Sequence, residues 1–313
     1  MFATIDIGTN SILLLIGEPQ QDGSVLVSED RALVTRLGQG LVKSGEISRS
    51  AADRTLHALS EYKRLCDERG VSEIAAVGTA ALRNASNAAT FIEQVRREFS
   101  IDIEVISAER EATLTYEGSA HDFGPAIAVI DIGGGSTEII AQKRDPHGKL
   151  PGLNIVSLPL GCVTLTEKYL HSDPVTHAEL HDLRAAIHAS LEERLELSMY
   201  ARPNDLEFVA TAGTATTLSA MHQKLARYEP EAVHGSRMKM ADLRDILDDL
   251  VRMTLEERKR IPGLIPERAD VILAGAELLH DAMSYLGYAD VTISDRGARW
   301  GLFYEKFCAQ HAQ

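Results

Sequence analysis

Apolar residues fall in short runs punctuated by glycine and polar turn residues. At 2–5, 12–16, 25–28, 74–77 and 101–106 these runs predict strands. Between them, apolar positions recur at helical spacing over 48–69, 87–99 and 108–120. Ser48 or Ser50 supplies an N-cap for the first of these helices, and Gly70 a stop. The pattern breaks at His121-Asp122-Phe123-Gly124-Pro125 and then starts again. Strands are predicted at 126–130, 138–143, 153–157 and 291–293, and helices at about 175–200, 240–252 and 266–287. A glycine-containing loop is predicted at 211–217, and the tail from Trp300 is amphipathic. Strands alternating with helices predict an α/β protein. Two domains are expected, 1–123 and 124–299, with a C-terminal helix at about 300–313 packed back on the first.

The two halves begin alike. Thr4-Ile5-Asp6-Ile7-Gly8-Thr9-Asn10-Ser11 aligns with Val129-Ile130-Asp131-Ile132-Gly133-Gly134-Gly135-Ser136. Asp6 matches Asp131, Gly8 matches Gly133 and Ser11 matches Ser136, each pair 125 positions apart. Each stretch lies between apolar runs and so reads as strand, turn, strand. Glycine lets a turn approach a ligand closely, and successive amides make an anion nest. Gly133, Gly134 and Gly135, with the hydroxyls of Ser136 and Thr137, therefore read as a phosphate cradle. Asp131, at the strand end, is placed to hold a hydrated Mg²⁺. A looser echo pairs Gly78-Thr79-Ala80 with Gly213-Thr214-Ala215, 135 positions apart. So long a period reads as a duplicated domain, with two phosphate-facing hairpins across a cleft. The loop 31–40, carrying Arg31, Arg36, Gly38 and Gly40, could line that cleft, and 158–162 is its parallel.

The chain has 313 residues, enough for two cores, and its 44% hydrophobic and 25% charged residues are ordinary for a globular protein. A net charge of −14 argues against a nucleic-acid surface. It also requires any phosphate site to be locally basic or metal-assisted. Cys66, Cys162 and Cys308 are well separated and form no CxxC, so neither a disulfide framework nor a zinc site is indicated. No apolar stretch is long enough to span a membrane, and the N-terminus has no basic leader, so a cytoplasmic location is expected.

Arg83 follows the Gly78 loop and could fork onto a phosphate, and Arg296 and Arg299 are similar candidates. Glu111 lies at the start of the helix that closes the first domain, where it could act as a general base. By spacing alone it is more simply a first-turn glutamate complementing the helix dipole. His177 and His181, four apart on a predicted helix, could bind metal, but with His188 further along and no third ligand evident they read as a solvated face. His280-Asp281 matches a phosphohydrolase dipeptide without the further motifs that superfamily needs.

Five motifs occur in order: Asp6 to Ser11, Gly78 to Asn87, Glu104 to Ala112, Asp131 to Glu138 and Gly213 to Leu218. With Arg268-Ala-Asp270 and Gly297-Ala-Arg299-Trp-Gly301, the set resembles the exopolyphosphatase / guanosine pentaphosphate phosphohydrolase family over nearly the whole chain. That family is part of the sugar kinase–Hsp70–actin superfamily. The resemblance implies two ribonuclease-H-like α/β domains flanking a cleft. It implies a Mg²⁺-assisted hydrolase, with Mn²⁺ as the alternative ion. Glu111 then corresponds to the catalytic base, and Asp131, Glu138 and Asp6 to metal-facing acids. Substrate contacts fall to Asn10, Ser11, Arg83, Gly133 to Thr137, Gly213, Thr214 and Arg299. Two positions depart from the family's pattern, Ala108 for glycine and Arg110 for a second glutamate, and Arg110 would set a positive charge beside the base. The length resembles that of short-form members, which implies a preference for shorter chains.

The leading expectation is an exopolyphosphatase. Alternatives are hydrolysis of pppGpp to ppGpp, a non-catalytic (p)ppGpp or polyphosphate sensor, and an ATP-dependent kinase on the same fold. The resemblance also suggests a homodimer paired through the second domain.

Overall fold

The computed structural model describes residues 1–145, 148–195 and 206–308. His147 of the expected second hairpin turn, the 196–200 end of the expected long helix and the tail beyond 308 lie outside them. The chain divides into two compact units, residues 1–118 with those from 298 on, and residues 119–297.

In the first unit, β1 (Phe2–Ile7), β2 (Ser11–Pro19), β3 (Val25–Val34), β4 (Glu73–Gly78) and β5 (Ile103–Val105) form one sheet in the order β3-β2-β1-β4-β5. β1, β2 and β3 form an antiparallel meander, while β4 and β5 add in parallel beyond β1. The central strand is largely shielded from water on both faces; Ala3, Thr4, Ile5 and Ile7 are all fully buried. The third strand extends well past the expected 25–28, so Arg31 stands in a strand and not in a loop. Helices α1 (Leu41–Ser44), α2 (Arg49–Glu68), α3 (Ala80–Asn84), α4 (Ala88–Phe99) and α5 (Ala108–Phe123) follow in order. Ser48 caps α2, its Oγ accepting the Ala51 N–H. The buried stripe of α2 runs through Ala51, Thr55, Leu59, Tyr62 and Cys66. Tyr62 also donates its hydroxyl to the Ile12 carbonyl at 2.9 Å, tying helix to sheet.

The second unit repeats this plan. β6 (Ile127–Ile132), β7 (Thr137–Asp145), β8 (Gly148–Leu158), β9 (Glu207–Thr211), β10 (Arg237–Lys239) and β11 (Asp290–Ile293) are ordered β10-β11-β9-β6-β7-β8. Its helices include α6 (Cys162–Tyr169), α7 (His177–Arg194), α8 (Ala212–His222), α9 (Pro230–Val233), α10 (Met240–Arg252), α11 (Leu255–Arg258) and α12 (Ile272–Leu286). α13 (Ala298–Phe303) belongs to the first unit. In both sheets an antiparallel meander is extended by two parallel strands, and the second sheet adds β10 antiparallel at its edge, a ribonuclease-H-like arrangement.

The strand ladders give the duplication in residue detail. Ile12 faces Leu33 and Thr137 faces Leu158, both pairs keeping the spacing of 125. Asp6 lies beside Val77 and Asp131 beside Thr211, so Gly78 corresponds to Ala212, at a spacing of 134. This corrects the alignment of Gly78 with Gly213. Sequence likeness follows the glycine, whereas backbone pairing sets the equivalence. Ala212 takes the left-handed φ of 67° there. The expected loop at 211–217 is also corrected, because α8 begins at Ala212.

Candidate active site

The first turn leaves β1 at Ile7 and closes with the Gly8 N–H donating to the Ser11 carbonyl at 3.0 Å. A loop after β3 holds it from behind. Gly38 N–H donates to the Thr9 carbonyl at 2.9 Å, and the Thr35 and Arg36 amides both donate to the Asn10 carbonyl. Gly38 has no room for a side chain, since a Cβ would lie 2.4 Å from Thr9 Cγ2. Thr9 and Asn10 are buried, and Asn10 Oδ1 has no hydrogen-bond partner among the described residues.

Beside this turn the sheet delivers Arg83 and Glu111. β4 and β5 run parallel with Gly78 against Val105, so the helices after them start side by side. Arg83 on α3 donates from Nη1 to the Ile106 carbonyl at 2.8 Å and lies 3.3 Å from Glu111 Oε2 in the first turn of α5. The Glu111 side chain is 14% exposed and that of Arg83 25%. Both are therefore reachable yet held. The charge beside Glu111 is thus Arg83. Arg110, expected there, is instead paired with Glu305.

In the second unit the turn Gly133–Ser136 repeats the first, with Gly133 N–H donating to the Ser136 carbonyl at 3.0 Å. The start of α6 grips it. Cys162 N–H donates to the Gly133 carbonyl, and Val163 and Thr164 both donate to that of Gly134. Thr137 is fully buried and donates its hydroxyl to the Leu160 carbonyl at 2.8 Å, which braces the turn. Gly213 and Thr214 lie in the first turn of α8, with Thr214 buried. Arg299, expected to touch substrate, forks its guanidinium onto Asp30, both bonds 2.9 Å, and its side chain is 8% exposed. A buried fork of this kind holds α13 against β3. Arg296, a further candidate, pairs with Asp122 at 2.8 Å.

One arginine carried a motif but no assigned role. Arg268 packs directly on Gly213, where a Cβ would fall 1.4 Å from its Nη1. Burial drives the Arg268 guanidinium below the usual arginine range. Burial also pushes the Cys162 thiol up, which disfavours a thiolate nucleophile there. Arg268 was legible only as part of Arg268-Ala-Asp270, because its contact with Gly213 spans distant parts of the sequence.

Among the described residues no three His, Cys, Asp or Glu side chains form a ready metal cage. Asp131, however, lies directly opposite Glu138 in the β6–β7 ladder, and Glu138 is 2% exposed. Ser157 Oγ donates to Glu138 Oε1 at 2.8 Å. Two carboxylates facing across a ladder repel. A hard divalent cation held by one or two carboxylates, its shell completed by water and phosphate oxygens, relieves that repulsion. These residues fit such an ion. In the first unit the same place offers one acid, Asp6 facing Leu13.

The model of the Ppx/GppA phosphatase family matches residues 18–309. The chain is 35% identical over 310 residues to exopolyphosphatase 2 of Mycobacterium tuberculosis, covering 94% of each chain. It is 29% identical over 308 residues to a guanosine-5'-triphosphate,3'-diphosphate pyrophosphatase of Vibrio atlanticus, spanning 97% of this chain and 59% of that one. The crystal structure of the Aquifex aeolicus Ppx/GppA family member superposes with a TM-score of 0.80 at 31% identity, over 99% of this chain and 98% of that one. Motif order, duplicated glycine turns and similarity over nearly the whole chain agree: the chain belongs to the Ppx/GppA phosphatase family.

Proposed function

We propose that this phosphatase removes terminal orthophosphate from inorganic polyphosphate, with Glu111 as the base. The observation carrying this reading is the meeting of Glu111 and Arg83 at 3.3 Å beside a phosphate-type turn. Water oxygen bonds to the terminal phosphorus while its proton passes to Glu111. The bond from that phosphorus to the bridging oxygen breaks, and the shortened chain leaves with that oxygen. Arg83 offers its guanidinium to the phosphoryl oxygens on which charge gathers. The amides of Gly133, Gly134, Gly135 and Ser136 bind phosphate, and the turn with Asn10 and Ser11 does the same in the first unit. Asp131 and Glu138 would hold Mg²⁺ or Mn²⁺, which neutralises phosphate charge when bound. The name and full-length coverage of the mycobacterial relative support polyphosphate as the substrate.

Hydrolysis of pppGpp to ppGpp is the second reading, supported by the Vibrio relative. Orthophosphate release measured at matched phosphate concentration separates the two. Faster release from polyphosphate is expected, and faster release from pppGpp would overturn the first reading.

Ser157 bears on the metal through Glu138. Ser157→Ala frees the Glu138 carboxylate from its hydroxyl donor, so the Mg²⁺ concentration for half-maximal activity should rise about tenfold. An unchanged Mg²⁺ titration would remove Glu138 from the metal set.

A further inference from the structure

The duplication shows how the first phosphate turn is held, and by a residue with no counterpart in the second. In the second unit the Leu160 carbonyl, just before the gripping segment, is satisfied by Thr137 Oγ1 at 2.8 Å. The matching carbonyl, 125 positions earlier, is that of Thr35. The match to Thr137 is Ile12, which has no donor to offer. Equivalence is secured by the ladders, where Ile12 faces Leu33 and Thr137 faces Leu158. It is also secured by the bond from Gly38 to Thr9, repeated as Val163 to Gly134.

Arg54, on α2, fills the gap. Its Nε donates to the Thr35 carbonyl at 2.8 Å, and its Nη2 to Gln39 Oε1 at 3.1 Å and the Arg36 carbonyl at 3.4 Å. The loop it fastens carries strain, since Arg36 holds a left-handed φ of 54°. Such a conformation costs about 1 kcal/mol and persists only where neighbours impose it. The same loop gives its amides to Thr9 and Asn10.

We propose that Arg54 is a positioning residue that fixes the first phosphate turn through the Thr35–Gln39 loop, replacing the hydroxyl that Thr137 supplies in the second. The role in turnover rests on the reading of that turn as a phosphate site; the clamping itself does not.

Arg54→Ala removes a charged donor, and the KM for polyphosphate should rise about tenfold with kcat changed much less. Amide hydrogen exchange over 9–11 and 35–39 should quicken in the same variant. Arg54 lines an open groove of about 480 Å³ with Thr35, His57 and Glu61, so added methylguanidinium can enter and should lower KM and slow exchange again. Arg54→Ala combined with Ile12→Thr installs the second unit's solution and should also lower KM. Normal exchange in Arg54→Ala overturns the clamp. Quickened exchange with an unchanged KM overturns its role in binding. A parent enzyme inactive on polyphosphate overturns the substrate reading instead, and the exchange measurement still decides the clamp.

Discussion

Glu111→Gln should release orthophosphate from polyphosphate about 10³-fold more slowly than the parent while binding the chain nearly as well. The substitution keeps the size and hydrogen-bonding reach of the side chain beside Arg83 but cannot take the proton from water. A factor of about 10³ corresponds to about 4 kcal/mol in the barrier, within the range of a positioned general base. Steady-state phosphate release with a separate binding titration makes the check. Parent-like turnover would remove Glu111 as the base, and loss of binding with little loss of kcat would recast it as a substrate contact.

Gly161→Ala should be the most damaging small substitution among the residues packed on the Gly133–Ser136 turn. Its φ is −137°, open to any residue, so backbone conformation is not the obstacle. The obstacle is space. A Cβ would lie 2.3 Å from Gly134 C, 2.4 Å from Gly134 O and 2.5 Å from Gly135 N, all backbone atoms of the turn. The turn must move, and displacing a binding group by about 1 Å costs on the order of 10² in rate. Overpacking should also lower stability by about 1–3 kcal/mol. Gly23→Ala is the control. Its φ of 83° makes alanine unfavourable by about 1 kcal/mol, but the space around it is open. Gly23→Ala should therefore melt slightly lower and turn over normally. If Gly161→Ala retains parent kcat/KM, the turn does not bind the substrate as proposed.

Much of the site was legible because it is local. The turns at Gly8 and Gly133 each close within four residues, by a bond from glycine to the serine three places on. Such a turn is written in adjacent side chains, so its two copies could be aligned on Asp6 and Asp131. The surroundings that could not be read were those of residues whose partners lie far along the chain. Thr137 turned inward to Leu160, Arg299 to Asp30 and Arg110 to Glu305. An arginine or threonine near a glycine motif looks like a ligand donor until its distant partner is known.

The amino-acid order alone determined the duplicated α/β plan, the two glycine turns and the membership of Glu111, Arg83 and Asp131 in one motif set. The plan and the turns depend on apolar periodicity and short-range backbone bonding, which act within a few residues, whereas the motif set rests on the resemblance to the family. Only the tertiary structure decided that Gly78 answers to Ala212, that Arg83 touches Glu111, that Arg268 rests on Gly213, and that Arg54 does for one turn what Thr137 does for the other. These follow from strand register and from which helix each strand delivers to its neighbour. A one-residue shift in register changes every such contact while leaving the local pattern almost untouched.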